Sequence, residues 1–471
     1  MANLRDELLD YLGFAAELEH LLMCQYLFAA YSLKRGPDEG LDPERLERVR
    51  RWGTKVTYIA RQEMAHLGIV MNLRAAIGGE PVFGRAEFPV KNAKWGALSE
   101  QDLLPFTRAS VTRFLRFEAP GGDEQEAEDA APPVSVAPPA SASPRLSPGL
   151  LPHDELTRRL RDSMRPQVKK LVLEDAPRWR RTEGAVEFNS ISDLYLQIYD
   201  KFVAGGEALF DDRYARRQIP LPGEVFAGMN SLNQYGLDLV RVENLDSAKN
   251  AIATILVQGE GTSLPNIGYS VLEDHTHYGY FTSILQELGG LDFDGVEVCR
   301  AVVANPTVRS EPRAGQTPLQ NDDTRQVAEL FNRCYRLMLA MLHCLYGESG
   351  LDERQLTGLA NGAFFPLMTM FIRPLAEVLT LLPAGARDER VAGAPFELWT
   401  GDEQLELYPS YASGWFGEEL ERLSTTFRAL DPKRYERYSE QAARRLEAMA
   451  QHMARLSQNW NADWENVGRT R

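Results

Sequence analysis

The sequence predicts an all-α fold, a four-helix bundle with additional C-terminal helices and few short strands. Three observations lead to this prediction. Long stretches of the 471-residue chain repeat apolar residues every three or four positions. Alternating, strand-like stretches are sparse. Carboxylates interrupt the apolar faces of four helices, and two of these are followed by His one turn later, which is the ligand pattern of a di-metal bundle.

Two long helices open the chain, one predicted over residues 4–34 and the next over residues 43–77, each ending at a glycine-containing turn. Glu19 lies on the apolar face of the first helix and Glu63 on that of the second. At a rise of ~1.5 Å per residue, antiparallel packing places the two carboxylates at the same level. The first ligand pair should therefore form where these helices cross the core.

The remaining elements follow from caps, turns and periodicity. A short helix is predicted within residues 100–117, and Ser190 or Ser192 caps another that ends near 205. Residues 237–242 resemble a strand, after which Asp246 caps the third ligand helix. The fourth ligand helix runs to Gly289-Gly290. Four further helices are predicted, over residues 321–347, 355–382, 415–430 and 433–458.

Six side chains form the predicted metal site: Glu19, Glu63, His66, Glu260, Asp274 and His277. An ionised carboxylate on the apolar face of a helix lowers the stability of the fold unless it is paired, protonated or bound to a metal. Helical phase favours Asp274 as the partner of His277, and the neighbouring Glu273 is the alternative. His20, Tyr26 and Tyr278 are expected around the ligands rather than among them. In the metal-free protein these crowded acids should repel one another. We therefore expect that Glu63→Ala, without metal, has a melting temperature at or above that of the metal-free wild type.

Composition narrows the functional classes. The formal charge of −15 disfavours nucleic acid and anionic membranes as partners. No apolar run has the length of a membrane span, and the N-terminus does not resemble a secretory signal. The four Cys lack metal-binding spacing and are expected to be reduced thiols in a cytoplasm.

The chain divides by composition into four predicted parts. Residues 1–117 hold the first helix pair, and residues 118–150, rich in Pro, Ala, Ser and acids, form a disordered insertion. Residues 151–300 hold the second helix pair. Residues 301–471 form a C-terminal helical region packed on the bundle.

Several segments resemble ferritin-like proteins related to iminophenyl-pyruvate dimer synthase, the enzymes of violacein and rebeccamycin pathways. The matching stretches are ELEHLLMCQYLFAAYSL (17–33), EMAHLGIVMNLRAAIGGEP (63–81), ISDLYLQIYDKFV (191–203), AIATILVQGEGTS (251–263), DHTHYGYF (274–281) and AGAPFELW (392–399). The resemblance implies a ferritin-like bundle that holds iron and oxidises small molecules derived from amino acids. The family pattern has Glu where this chain has Asp274.

These observations lead to three functional hypotheses. The first is a non-haem diiron oxidoreductase that uses dioxygen or peroxide on a small organic substrate, with manganese as the alternative metal. The second is an iron-binding protein of the ferroxidase type, and the third is a metal-free structural or interaction protein. Haem is a further alternative, for which His343 is the candidate axial ligand. A homo-oligomer is compatible with each hypothesis.

Overall fold

The computed structural model describes most of the helical part of the chain. The described residues are 2–119, 186–210, 216–219, 239–260, 276–290, 293, 296–347, 358–360, 364–385, 389–398 and 414–468. The predicted disordered insertion lies outside these residues, apart from its first two positions. The predicted all-α class is confirmed, since the only sheets within the described residues are two-stranded.

Helices α1 (Ala2–Ser32) and α2 (Pro43–Ala76) form the first pair, close to the predicted bounds. The Asp42 side chain accepts a hydrogen bond from the backbone N–H of Arg45 and caps α2, while Pro43 occupies its first turn. The Arg74 guanidinium, near the end of α2, donates to the Leu9 carbonyl near the start of α1. The two helices therefore run antiparallel.

The shorter helices of the bundle are α3 (Arg108–Phe117), α4 (Ile191–Gly205), α5 (Leu245–Glu260) and α6 (His277–Leu288). Ser190 caps α4, as predicted. The prediction that Asp246 caps α5 is wrong, because Asp246 already lies inside the helix. The Asn244 side chain accepts from the Ser247 backbone N–H instead.

Two local predictions are corrected. Residues 239–242, the described part of the predicted strand, form no ladder, because the Gln218 side-chain amide hydrogen-bonds both the N–H and the C=O of Val242. Helix α6 begins only at His277, since Thr276 is extended and caps it. Asp274 lies outside the described residues, so its spacing from His277 stays a prediction.

The C-terminal region packs on the bundle through α7 (Asp322–Tyr346), a π-helical turn (Leu367–Ile372) and α8 (Arg373–Leu379). Helices α9 (Gly414–Ala429), α10 (Pro432–Glu436) and α11 (Glu440–Gly468) follow, so the single helix predicted over 433–458 is interrupted. Glu377 of α8 forms ion pairs with Arg35, after α1, and with Arg445 of α11. This buried carboxylate ties the bundle to the last helices.

Short elements complete the described chain. Strand β1 (Val90–Lys91) pairs antiparallel with β2 (Glu100–Gln101), and β3 (Pro306–Thr307) pairs parallel with β4 (Thr317–Pro318). Two 3₁₀ helices span Ala93–Leu98 and Gly206–Leu209. All four Cys are free and buried, as expected. Among the helices described, none is both long and apolar enough to cross a membrane.

An apolar cavity of about 110 Å³ lies between α1, α2 and α7. Protein interiors are close-packed, and voids larger than a water molecule are few in a domain. The cavity lies where the bundle contacts the C-terminal region.

Candidate metal centre

Glu63 lies at the centre of a buried cluster contributed by four helices. Its Oε2 atom is 2.9 Å from Nδ1 of His66, and its Oε1 atom is 3.2 Å from Nδ1 of His277. Oε2 of Glu19 approaches His66 Nδ1 to 3.5 Å, and Oε2 of Glu118 approaches His277 Nδ1 to 3.4 Å. All five side chains are at most 2% exposed. One carboxylate therefore joins two half-sites.

The two half-sites each contain a possible set of three metal ligands. Glu19, Glu63 and His66 offer donor atoms that all lie within 4.8 Å of one another, and so do Glu63, Glu118 and His277. Helix α1 supplies Glu19 and α2 supplies the Glu63–His66 pair. Glu118 comes from the residue that ends α3, and His277 from the first turn of α6.

Two tyrosines orient the outer carboxylates. The Tyr195 hydroxyl of α4 donates to Oε1 of Glu19, and the Tyr26 hydroxyl of α1 donates to Oε1 of Glu118, each at 2.5 Å. In both acids the outer oxygen is thereby occupied, while Oε2 faces the imidazole in the centre. Such hydrogen bonds fix the direction in which a ligand presents its free oxygen.

Two glutamines orient the imidazoles in the same way. Nε2 of His66 lies 2.9 Å from the side-chain oxygen of Gln258, and Nε2 of His277 lies 3.1 Å from that of Gln62. An amide oxygen only accepts hydrogen bonds, so Nε2 carries a hydrogen in each ring. A neutral ring then keeps its lone pair on Nδ1, the atom that faces the centre. This is the orientation that a metal-binding His needs.

Three polar atoms at the centre have no hydrogen-bond partner although they are buried: Glu19 Oε2, Glu63 Oε1 and His277 Nδ1. Buried polar atoms are nearly always hydrogen-bonded, so three orphans in one cluster require an explanation. Their contacts of 3.2–3.5 Å are close but lack hydrogen-bond geometry. Carboxylate and imidazole donors in this arrangement fit a pair of divalent ions such as iron or manganese.

Protons stabilise the cluster when no metal is bound. Burial raises the pKa of Glu19 to about 8, with repulsion from Glu63 adding to it. Burial works against the charged form of each His, but the adjacent carboxylates outweigh it. They raise the pKa of His277 to about 9 and that of His66 well above its usual value. Burial also opposes ionisation of Glu63, yet the two imidazoliums hold its pKa below the usual range.

The structure brings together four of the six side chains predicted from the sequence: Glu19, Glu63, His66 and His277. Glu260 is the last residue of α5, and its side chain lies outside the described part of the structure. Asp274 and its alternative Glu273 also lie outside the described residues. Their roles as ligands stay predictions.

The residues expected around the ligands differ in their placement. Tyr26 contacts a carboxylate of the cluster. His20 is fully buried and its Nε2 is hydrogen-bonded to the Tyr335 hydroxyl of α7, so it faces the C-terminal region. Tyr278 is partly buried against the core. His343, half-buried in the last turn of α7, belongs to neither ligand cluster.

Glu118 was missed because it was placed in the predicted insertion, at its first residue. The acid ends α3, is 1% exposed and touches His277. A signal for it was present: Val111, Phe114 and Leu115 form an apolar face that Glu118 extends at helical spacing. Burial raises the pKa of Glu118, as expected for a carboxylate inside the core.

Glu118→Gln should reduce the metal content of the loaded protein from two ions per chain to one. The amide keeps the shape of the side chain but is a weaker donor to a hard cation, and it affects only the half-site of His277. Elemental analysis after anaerobic loading with ferrous iron measures the change. The exposed Glu436→Gln is the matched control. Two ions retained in Glu118→Gln would remove Glu118 from the ligand set.

Glu63→Ala should destabilise the metal-free protein by about 3–5 kcal/mol, since breaking a buried ion pair from one side leaves its partners uncompensated. This reverses the expectation from sequence, because Glu63 lies between two imidazoliums rather than among acids alone. Urea denaturation at neutral pH measures the loss. Glu19→Gln, which mimics the protonated acid, is the control and should change stability little. Equal stability of Glu63→Ala and the wild type would contradict the ion-pair assignment.

Metal binding at about pH 7 should release at least three protons per fully loaded chain. Glu19, His66 and His277 have raised pKa values and carry protons at that pH, whereas metal ligation requires their deprotonated forms. The apparent affinity for the metal should therefore rise with pH up to about 9, which is the pKa of His277. Calorimetry in buffers of different ionisation enthalpy counts the protons. An affinity independent of pH would show that the ligands are already deprotonated.

Comparison with known proteins identifies the bundle. A family model described as ferritin-like matches residues 12–286, more than half of the chain and the whole of the described cluster. The chain is 25% identical to dichlorochromopyrrolate synthase of Lentzea aerocolonigenes over 86% of its length. It is 26% identical to 2-imino-3-(indol-3-yl)propanoate dimerase of Chromobacterium violaceum over 89% of its length. No solved structure matches at a comparable level.

The alignments cover only 37% and 36% of these two relatives, so the chain spans little more than a third of their length. They confirm the resemblance stated from the sequence and the predicted ferritin-like fold. The match to the family model covers both helix pairs that hold the cluster. The chain therefore belongs to the ferritin-like family.

Proposed function

We propose that this protein is a non-haem di-metal oxidoreductase, with iron as the metal, that oxidises a small molecule derived from an amino acid in natural-product biosynthesis. The observation that carries the proposal is the position of Glu63. Its two oxygens face two different imidazoles, and each imidazole is also approached by a separate carboxylate. A shared carboxylate between two half-sites is the arrangement by which ferritin-like bundles hold two ions.

A pair of iron ions, when bound, would supply redox chemistry with dioxygen or peroxide that the side chains themselves lack. The chain's own contribution is to hold the donors in place. The hydroxyls of Tyr195 and Tyr26 donate hydrogen bonds to the outer oxygens of Glu19 and Glu118. Gln62 and Gln258 keep the Nδ1 atoms directed inward. The site is buried, which excludes bulk water.

The relatives supply the proposed substrate class. One is named for dichlorochromopyrrolate synthesis and the other for dimerisation of 2-imino-3-(indol-3-yl)propanoate, an imine of an aromatic amino acid skeleton. We infer that this chain acts on an aromatic imino or amino acid of similar size. Because the chain covers about a third of those proteins, its reaction need not be the complete one in their names.

The ferroxidase hypothesis rests on the same carboxylate-rich centre, and no described feature separates it from the oxidoreductase by ligand chemistry alone. The metal-free hypothesis is disfavoured by the three orphaned donor atoms, which a purely structural core would pair. The two remaining hypotheses differ in whether an organic substrate is consumed together with dioxygen.

The test supplies iron-loaded protein with dioxygen and the imine of indole-3-pyruvate. The proposal expects oxygen consumption that depends on the imine, with an oxidised organic product seen by mass spectrometry. Glu63→Gln should abolish both, since it weakens both half-sites, while the exposed Glu436→Gln should leave both unchanged. Rapid iron oxidation with no organic product would favour the ferroxidase. Protein that folds but takes up no iron would contradict both the oxidoreductase and the ferroxidase hypotheses.

A further inference from the structure

We propose that the cavity between α1, α2 and α7 is a binding site for one uncharged aromatic ring, separate from the metal centre. No charged side chain occurs among the described residues that line it. Its wall is built by four methionines and by the rings of phenylalanine and tyrosine from several distant segments. Small-molecule sites have such predominantly apolar and aromatic linings.

Two of the three tyrosine hydroxyls of the wall are hydrogen-bonded to other groups of the protein. The Tyr335 hydroxyl is hydrogen-bonded to His20 Nε2 and lies 3.2 Å from the sulfur of Cys24. The Tyr346 hydroxyl donates to the backbone carbonyl of Gly68 at 3.3 Å. Both hydroxyls are therefore already engaged by groups of the protein. A charged ligand would lose its hydration there and gain no partner from these groups.

The size of the cavity selects the ligand. A volume of about 110 Å³ is of the order of the engineered apolar cavity of ~150 Å³ that takes up benzene in another protein. The methionines of the wall are flexible and polarizable, so they adapt to a flat ring and contact its edge favourably. One ring fits this space.

The cavity and the metal centre use adjacent faces of the same helix. Met64 and Leu67 line the cavity, and each directly follows a residue of the cluster, Glu63 and His66. Successive residues of an α-helix point about 100° apart, so the side chains of the cavity and those of the cluster leave α2 in different directions. Ring binding therefore does not depend on a metal, and this proposal stands apart from the proposed function.

The experiment titrates the purified full-length chain with toluene and, separately, with benzoate, which has the same ring but carries a charge. Calorimetry and thermal melting report binding. We expect saturable toluene binding that raises the melting temperature, and no such effect of benzoate. Absence of saturable toluene binding, or equal binding of benzoate, would overturn the proposal.

Ala360→Phe tests the location, because Ala360 lines the cavity and the added ring fills it. It should weaken toluene binding at least about tenfold, because the added ring occupies the space of the ligand. Ala429→Phe makes the same change at an exposed position of α9 and should leave binding intact. Unchanged binding in a folded Ala360→Phe variant would overturn the assignment.

Leu339→Ala tests the location of the site if the phenylalanine of Ala360→Phe prevents folding. Leu339 also lines the cavity, and its truncation enlarges the space. The variant should bind naphthalene, a larger ligand with two fused rings, more tightly than the wild type does. Failure of a folded Leu339→Ala protein to bind naphthalene more tightly than the wild type would count against the site.

Discussion

The contact between Glu63 and the two imidazoles is the interaction on which the site depends. Four helices from distant parts of the chain meet at this one carboxylate, which is buried and faces His66 and His277 with different oxygens. A buried charge is tolerated only when it is paired and hydrogen-bonded. Placing it correctly therefore constrains the packing of α2 against α6, and through the outer acids also against α1 and α3.

Protons and cations can exchange at this centre with little change in net charge. In the metal-free cluster, one carboxylate is ionised between two imidazoliums, while burial favours the neutral forms of Glu19 and Glu118. Divalent ions would replace the protons on Glu19 and on the two His, so that positive charge is exchanged for positive charge. The same core can thus pack around either occupant, which explains how such polar groups coexist with an apolar bundle.

Sequence periodicity predicted the long helices and the first ligand pair because Glu19, Glu63 and His66 lie inside regular helices, where spacing determines direction. It failed at helix ends. Glu118 extends the apolar face of α3 at helical spacing, but it lies at the very end of that helix, where the composition of the predicted insertion obscured it. The pairing of Glu118 with His277 joins positions far apart in sequence, and local pattern holds no record of such a contact.

The complete burial of the five side chains of the cluster has a kinetic consequence. Side chains that are at most 2% exposed are reached by a hydrated ion through local opening of the structure around them. Loading and loss of metal are then governed by the frequency of that opening rather than by affinity alone. A centre of this kind would exchange its ions slowly, so the metal present when the helices last closed would determine which form of the protein a cell contains.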